Sequence, residues 1–124
     1  MIKFNMLLRR RSDLSRDAFF DYWLNTHGPL VLSLADALRI RKYNQVHALN
    51  HPLNEVVRKT RGMIEPFDGI AETWFDSVDD LEGSFATPEG REAGVRLRED
   101  EAQFLDLPRC AGWIAEEHRM LPKD

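Results

Sequence analysis

The feature that most constrains the fold is the order in which two residue periodicities alternate along the chain. In "MIKFNMLLRR" every second residue from Ile2 to Leu8 is apolar, and this period of two predicts a strand. The segments "RIRKYNQVHAL", "GIAETWFDS" and "RCAGWIAEEHRM" predict three more strands. Helical patterns separate the first strand from the second and the third from the fourth. The order β-α-β-β-α-β predicts an α+β, ferredoxin-like fold, in which an antiparallel sheet carries both helices on one face.

The first helical region has a clear beginning and an interrupted end. Ser15 is the predicted N-cap, and the aromatic residues after it recur at helical spacing up to Trp23. We expect the helix to stop near His27, because Gly28 can adopt a positive φ and Pro29 cannot donate to the helical hydrogen-bond ladder. Pro29 also suits the first position of a new helix, so the region is predicted to bend or split there.

The second half of the chain predicts two helices, preceded by one long loop. Ser77 is the predicted cap of a short helix, and Thr87 followed by Pro88 predicts the start of a longer, polar helix. The segment "NHPLNEVVRKTRGMIEPFDG", roughly 20 residues, shows no clear periodicity. We expect a loop there, and a loop of this length in a small domain often serves as a lid or a binding segment.

Length and charge limit the possible partners. The 124 residues are expected to form a single domain spanning residues 1–124. The net charge of −4 combines +6 in residues 1–62 with −10 in residues 63–124. The basic run Arg9–Arg11 is short, and no nucleic-acid-binding motif accompanies it, so we expect no nucleic acid partner.

Membrane, secretory and metal-binding signals are missing from the sequence. No apolar run approaches the ~18 residues that a spanning helix needs, and the N-terminus lacks the pattern of a signal peptide. We therefore expect a cytoplasmic protein that does not bind membranes. The single cysteine, Cys110, is expected to be a small buried residue. No cysteine and histidine spacing is typical of a zinc site, so no metal is predicted.

The sheet face away from the helices carries the main functional expectation. Tyr43, Gln45 and His47 alternate along the second strand and share one face. Together with Glu72 and Trp74 of the third strand, they would give a face that is neither bare nor fully polar. We expect two copies of the chain to pack sheet to sheet and to enclose a cavity lined by these residues.

Three segments in this order resemble the EthD family of the dimeric α+β barrel superfamily. They are "LSRDAFFDYWLNTHGPLV", "YNQVHAL" and "FDGIAETWFDSVDDL", and the likeness extends from Leu14 to about Leu107. The resemblance implies a ferredoxin-like subunit and a homodimer. The family includes methylmuconolactone isomerases and polyketide-tailoring dehydratases, decarboxylases and cyclases, for which cofactors are generally not required. The resemblance also implies pocket positions at His27, Tyr43, Gln45 and His47.

The chemistry that fits these residues is proton transfer next to a carbonyl group. An unperturbed histidine titrates near neutral pH, so His27 is the predicted base that removes a proton from a small cyclic, aromatic or polyketide-like substrate. Tyr43 or His47 would then stabilise the enolate oxygen. A structural role as a helix cap remains the alternative for His27. The predicted substrate-binding residues are Gln45, Glu72, Trp74 and Trp23, with an ion pair as the alternative for Glu72 and core packing as the alternative for the tryptophans.

Two other classes of function stay open. Relatives in the superfamily bind haem through a histidine, so a haem-binding or haem-degrading barrel is one alternative. A dimer that binds a small molecule without turning it over is the other.

Overall fold

The computed structural model describes residues 1–123 and confirms the α+β, ferredoxin-like fold. Its sheet has the order β2-β3-β1-β4, and all neighbouring strands are antiparallel. The elements are β1 (Ile2–Leu8), α1 (Arg16–Tyr22), a π-helical turn (Trp23–His27), α2 (Gly28–Leu38), β2 (Lys42–His47), α3 (Leu53–Arg61), β3 (Gly69–Phe75), α4 (Val78–Ser84), α5 (Pro88–Phe104), a short 3₁₀ turn (Leu107–Arg109) and β4 (Ala111–Ala115).

The core lies between the sheet and the helices α1, α2 and α5. Phe19, Trp23 and Phe104 are at most 1% exposed and pack with Leu8 of β1. A second cluster, centred on Leu34, forms where α2 packs against α5. Burial of these large side chains is the main force that holds the helices on the sheet.

Three predicted helix starts are confirmed by side-chain caps. The hydroxyl of Ser15 accepts the N–H of Ala18 at 3.1 Å. In the same way, Ser77 caps α4 and Thr87 caps α5, each at 3.0 Å. Each cap satisfies one backbone donor that the first turn leaves unpaired, which anchors these helices at the predicted residues.

The predicted split at His27 is confirmed as an element boundary, since the π-helical turn ends at His27 and α2 begins at Gly28, but the predicted end of the helix there is wrong. The chain stays helical, and Gly28 has a φ of −54° rather than a positive value. The N–H of Gly28 bonds to the carbonyl of Trp23, five residues back, so one wider turn carries the chain into α2 with Pro29 in its first turn. Space at the glycine is tight: a Cβ there would lie 3.1 Å from Nε2 of Gln45 and 3.4 Å from the Trp23 oxygen.

The long loop predicted before β3 is only partly a loop. It contains α3, which ends at Gly62 with a φ of +62°. Leu53, Val56 and Val57 of α3 stand at the helical spacing i, i+3, i+4, yet none of the nine residues of this helix is buried. Among residues 1–123, no helix is both long and apolar enough to cross a membrane.

Candidate functional site

A cavity of about 450 Å³ lies inside the subunit, between the sheet and the helices. Its walls are mainly apolar, with Phe4 and Met6 from β1, Val31 from α2 and Leu97 from α5 among them. Two further wall residues, Phe85 and Ile114, are each 50% exposed, which puts the mouth of the cavity on their side. This size and lining are typical of sites for small organic molecules.

A small set of polar side chains reaches this cavity. Ser84 bonds within its own helix to the Leu81 carbonyl, and Thr73 lies 3.5 Å from the Phe4 carbonyl. The groups that remain for chemistry are an imidazole, a phenol, a guanidinium and a carboxyl. They belong to His27, Tyr43, Arg98 and Glu101.

His27 is 6% exposed and is held by a carboxylate on α5. Its Nδ1 lies 2.6 Å from Oδ2 of Asp100, and the other oxygen of Asp100 accepts the hydroxyl of Tyr22 at 2.5 Å. With both carboxylate oxygens accepting, Nδ1 of His27 carries the proton. Nε2 therefore carries the lone pair, and no residue in 1–123 forms a hydrogen bond with it.

The surroundings keep His27 neutral. Burial lowers the pKa of His27, and the bond and charge of Asp100 oppose that effect only in part. The chain stays helical past this residue, so His27 does not stand at a free helix C-terminus that would favour its cation. Burial and Asp100 raise the pKa of Tyr22 to about 12, so its phenol stays a donor to the carboxylate. A neutral imidazole with a free Nε2 is a proton acceptor.

Tyr43, on β2, lines the same cavity. Its oxygen accepts an N–H of Gln45 at 2.8 Å. Burial raises the pKa of Tyr43, against the lowering effect of its bonds to Gln45 and Trp23, so the phenol is neutral near pH 7. Its O–H is thus free to donate to a bound oxygen.

Gln45 and His47 lie behind Tyr43 and not in the cavity wall. The Gln45 amide donates to Tyr43 and to the Trp23 carbonyl, and its oxygen accepts from Nε2 of His47, each at 2.8 Å. The His47 ring stacks on Trp23 and on Phe20, with centroids 4.3 and 4.8 Å away. Gln45 and His47 therefore position Tyr43, while the Trp23 ring forms part of the wall.

Glu72 and Trp74 lie on the opposite face of the sheet. Thr73 pairs with Tyr43, so its neighbours in β3 point away from the helices. Glu72 forms an ion pair with Lys3 at 2.6 Å, and the Trp74 ring lies between the ammonium groups of Lys3 and Lys42, at 4.7 and 4.4 Å. The expectation that all five strand residues share the sheet face away from the helices, in one cavity between two sheets, is wrong. Tyr43, Gln45 and His47 face the helices, and the pleat puts Glu72 and Trp74 on the other face.

Sequence reasoning missed three charged groups of the site on α5: Arg98 and Glu101, which line the cavity, and Asp100, which holds His27. A signal for two of them exists in the pattern of the helix. Ala93, Leu97 and Phe104 mark its buried stripe, and Asp100 and Glu101 occupy the turn of that stripe between Leu97 and Phe104. Carboxyl groups at apolar-stripe positions indicate a functional role.

The described residues show no metal centre. Among residues 1–123, no three histidine, cysteine, aspartate or glutamate side chains gather in a way that could hold a metal ion.

Comparisons with known proteins match this fold over nearly the whole chain. The model of the EthD domain matches residues 11–108. No curated protein matches the sequence significantly. An ethyl tert-butyl ether D (EthD) family protein from Bacillus halodurans is 22% identical, with a TM-score of 0.64, over 95% of this chain and 99% of that one.

Two further solved structures share the fold at lower identity. A protein from Bacteroides fragilis, described as dimeric, ferredoxin-like and of unknown function, is 19% identical with a TM-score of 0.58, over 94% of this chain and 95% of that one. SnoaB from Streptomyces nogalater, described as a cofactor-independent oxygenase, is 9% identical with a TM-score of 0.56, over 98% of this chain and 97% of that one. At these identities the likeness establishes the fold.

Proposed function

Because the chain belongs to the EthD family, we propose that it is an enzyme that transfers a proton next to a carbonyl group without a cofactor. The substrate is a small cyclic, aromatic or polyketide-like molecule, and the reaction is an isomerisation, dehydration, decarboxylation or cyclisation. The observation that carries the proposal is His27 in the wall of an apolar cavity, with Nδ1 bonded to Asp100 and Nε2 without a partner.

His27 is the base of the proposed reaction. Nε2 takes a proton from the carbon beside the substrate carbonyl, and the ring becomes an imidazolium. The carboxylate of Asp100, 2.6 Å from Nδ1, stabilises that charge and fixes the ring orientation. The hydroxyl of Tyr22 holds the carboxylate in place.

Tyr43 stabilises the charge that develops on the substrate oxygen. Its O–H donates to the enolate, and the bond from Gln45 orients the phenol before substrate arrives. The apolar walls exclude water and so strengthen this hydrogen bond. Trp23 supplies a flat wall against which a ring can stack.

We also propose that the chain forms a homodimer through the sheet face away from the helices. Val46, Ile70 and Leu7 form an apolar row across the three strands β2, β3 and β1. Val46 is 44% exposed and Trp113 of β4 on the same face is 48% exposed. A second copy would cover this surface, and the Bacteroides fragilis neighbour is described as dimeric.

A haem-binding barrel is the second candidate, because the same histidine favours it. An axial haem ligand also presents one ring nitrogen to a cavity and gives the other to a carboxylate, as His27 does with Asp100. The haem-binding candidate ranks second because the cavity wall offers few basic side chains to bind the haem propionates. Among the described residues, Arg98 is the one arginine or lysine in that wall. Titration with haemin tests it, since binding through His27 would give a Soret band that His27→Asn loses.

The experiment for the proposed enzyme uses β,γ-cyclohexenone, a small cyclic ketone with acidic protons between the carbonyl and the double bond. Proton transfer converts it to the conjugated ketone, which is followed by ultraviolet absorption, and exchanges the α-proton in deuterium oxide, which is followed by NMR. We expect wild type to accelerate both and His27→Asn to abolish both. The matched control is His118→Asn, at an exposed histidine that does not line the cavity. Equal rates for wild type and His27→Asn would remove His27 from the mechanism.

A further inference from the structure

We propose that Glu101 is a second catalytic residue, which delivers a proton to the substrate after His27 has removed one. The inference rests on the proposed function, because it assigns the second step of the same reaction. It narrows the chemistry to reactions with two proton transfers, such as the shift of a double bond into conjugation.

The position of Glu101 on α5 is the first support. It shares the cavity face of this helix with Gly94, Leu97 and Phe104, at helical spacing. Asp100, the preceding residue, is turned to His27 and Tyr22. The two neighbouring carboxyl groups of α5 therefore have different roles. Asp100 binds His27, and Glu101 lines the cavity.

The lack of a protein partner for Glu101 is the second support. Among residues 1–123, no side chain or backbone group forms a hydrogen bond or an ion pair with its carboxyl group. Arg98, three positions earlier on the same helix, acts on Glu101 through its charge without forming an ion pair with it. No polar side-chain atom of the described residues is fully buried without a partner, so the carboxyl oxygens border open space. A carboxyl group in an apolar wall without a protein partner is available to a bound molecule.

The electrostatics of the site suit a proton donor. Burial raises the pKa of Glu101 to about 7, with Arg98 acting to lower it and Asp100 to raise it. Cys110, in the segment before β4, has a pKa that burial raises most and that the negative charge of Glu101 also acts to raise. His27 lines the same cavity as Glu101. Near neutral pH a substantial fraction of Glu101 is therefore protonated while His27 is neutral, which is the combination that a base and an acid need.

The proton and electron balance is complete within the site. His27 breaks the C–H bond at the α-carbon, and the electron pair enters the enolate that Tyr43 stabilises. The enolate then forms a C–H bond at the γ-carbon with the proton of Glu101, and the carbonyl is restored. Transfer of a proton from the imidazolium to the Glu101 carboxylate, through water at the cavity, returns both groups to their starting states.

The test separates the two halves of the reaction in the full-length protein. Glu101→Gln keeps the shape of the side chain and removes the acid, and Glu99→Gln on the same helix, at an exposed position, is the matched control. With β,γ-cyclohexenone in deuterium oxide, we expect Glu101→Gln to slow formation of the conjugated ketone by about 100-fold, the usual contribution of a general acid. Exchange of the α-proton should continue at close to the wild-type rate, because His27 still removes and returns it.

Three outcomes decide the inference. Isomerisation by Glu101→Gln at the wild-type rate overturns the role of Glu101 and leaves the proposed function standing. Loss of α-proton exchange together with isomerisation in this variant makes Glu101 structural and also overturns its role. A wild-type protein that gives neither exchange nor isomerisation overturns the proposed function, and the role of Glu101 falls with it.

Binding of β-naphthol, a flat fluorescent hydroxyarene, gives a readout that does not depend on turnover. We expect wild-type affinity to fall as the pH rises through about 7, because the apolar rings of the ligand displace the water that hydrates the ionised Glu101. The affinity of Glu101→Gln should not show this fall, whereas Glu99→Gln should behave like wild type. A fall of the same size in Glu101→Gln assigns the titration to another group and contradicts the inference.

Discussion

Oδ2 of Asp100 lies 2.6 Å from Nδ1 of His27, although the two residues are 73 positions apart in the chain. The contact joins the C-terminal part of α5 to the wide turn between α1 and α2. It fixes the tautomer of a buried histidine in the wall of the cavity, and the predictions below follow from that geometry.

Asp100→Asn should lower kcat by roughly 100-fold, because the amide cannot stabilise the imidazolium and can hold the ring in the wrong tautomer. Tyr22→Phe should have a smaller effect, since the carboxylate loses one of its two donors and keeps its charge. Isomerisation of β,γ-cyclohexenone measures both. If Asp100→Asn retained wild-type kcat, the contact would be structural only.

Tyr43→Phe should lower kcat by about 10- to 100-fold, because the enolate loses its hydrogen-bond donor. His47→Phe keeps a ring to stack on Trp23 but removes the bond to Gln45, so it should lower kcat by less than Tyr43→Phe does. A larger loss for His47→Phe would indicate direct contact between His47 and substrate.

The pH profile of kcat/KM should be bell-shaped. The acid limb reports deprotonation of His27, and its midpoint lies below the ordinary 6.5 because burial lowers that pKa. The alkaline limb reports loss of the Glu101 proton near pH 7. Glu101→Gln should lose the alkaline limb and keep the acid limb. An alkaline limb that survives in Glu101→Gln belongs to another group.

Glu101→Gln should also stabilise the folded protein above pH 7. The pKa of Glu101 is raised in the folded state, so its favourable contribution is present at acid pH and is lost as the pH rises from about 4.5 through about 7. Removing the charge should therefore increase the free energy of unfolding by roughly 1–3 kcal/mol at pH 8. Urea unfolding at pH 5 and pH 8 measures it, and equal gains at both pH values contradict the linkage.

Glu72→Gln tests the opposite face of the sheet. It leaves Lys3, which is 9% exposed, with the exposed Glu117 as its one charged partner among residues 1–123. We expect a loss of about 1–3 kcal/mol in the free energy of unfolding, with kcat unchanged because Glu72 is not in the cavity wall. A strong fall in kcat without a change in the free energy of unfolding would indicate that Glu72 takes part in the reaction.

Val46→Glu should convert the proposed homodimer to a monomer, because it places a charge in the apolar row of the open sheet face. Val56→Glu, at a 54% exposed position on α3, is the control and should stay dimeric. Light scattering after size-exclusion chromatography measures both. If Val56→Glu were monomeric and Val46→Glu dimeric, the interface would include α3 and not the open sheet face.

The strands, the helix caps and the histidine of the cavity wall were accessible from the sequence because they depend on local patterns. Three helix starts are marked by side-chain caps, in which a hydroxyl accepts the backbone N–H three residues further on; the caps are Ser15, Ser77 and Thr87. His27 was found as a candidate from its motif, although the widened turn around it was not. The α3 helix was missed although Leu53, Val56 and Val57 recur at helical spacing, because that pattern covers three residues of a mainly polar segment and none of them is buried.

The sequence by itself determined the order of the elements and the periodic faces that pack them into a ferredoxin-like sheet with helices on one side. Only the tertiary structure decided which chemical groups meet. The strand register placed Tyr43 in the cavity and Glu72 on the other face, and the packing of α5 brought Asp100 to His27 and Glu101 into the cavity wall. Periodicity records the side of an element on which a residue lies, whereas the partner across a long loop is set by packing of the whole core.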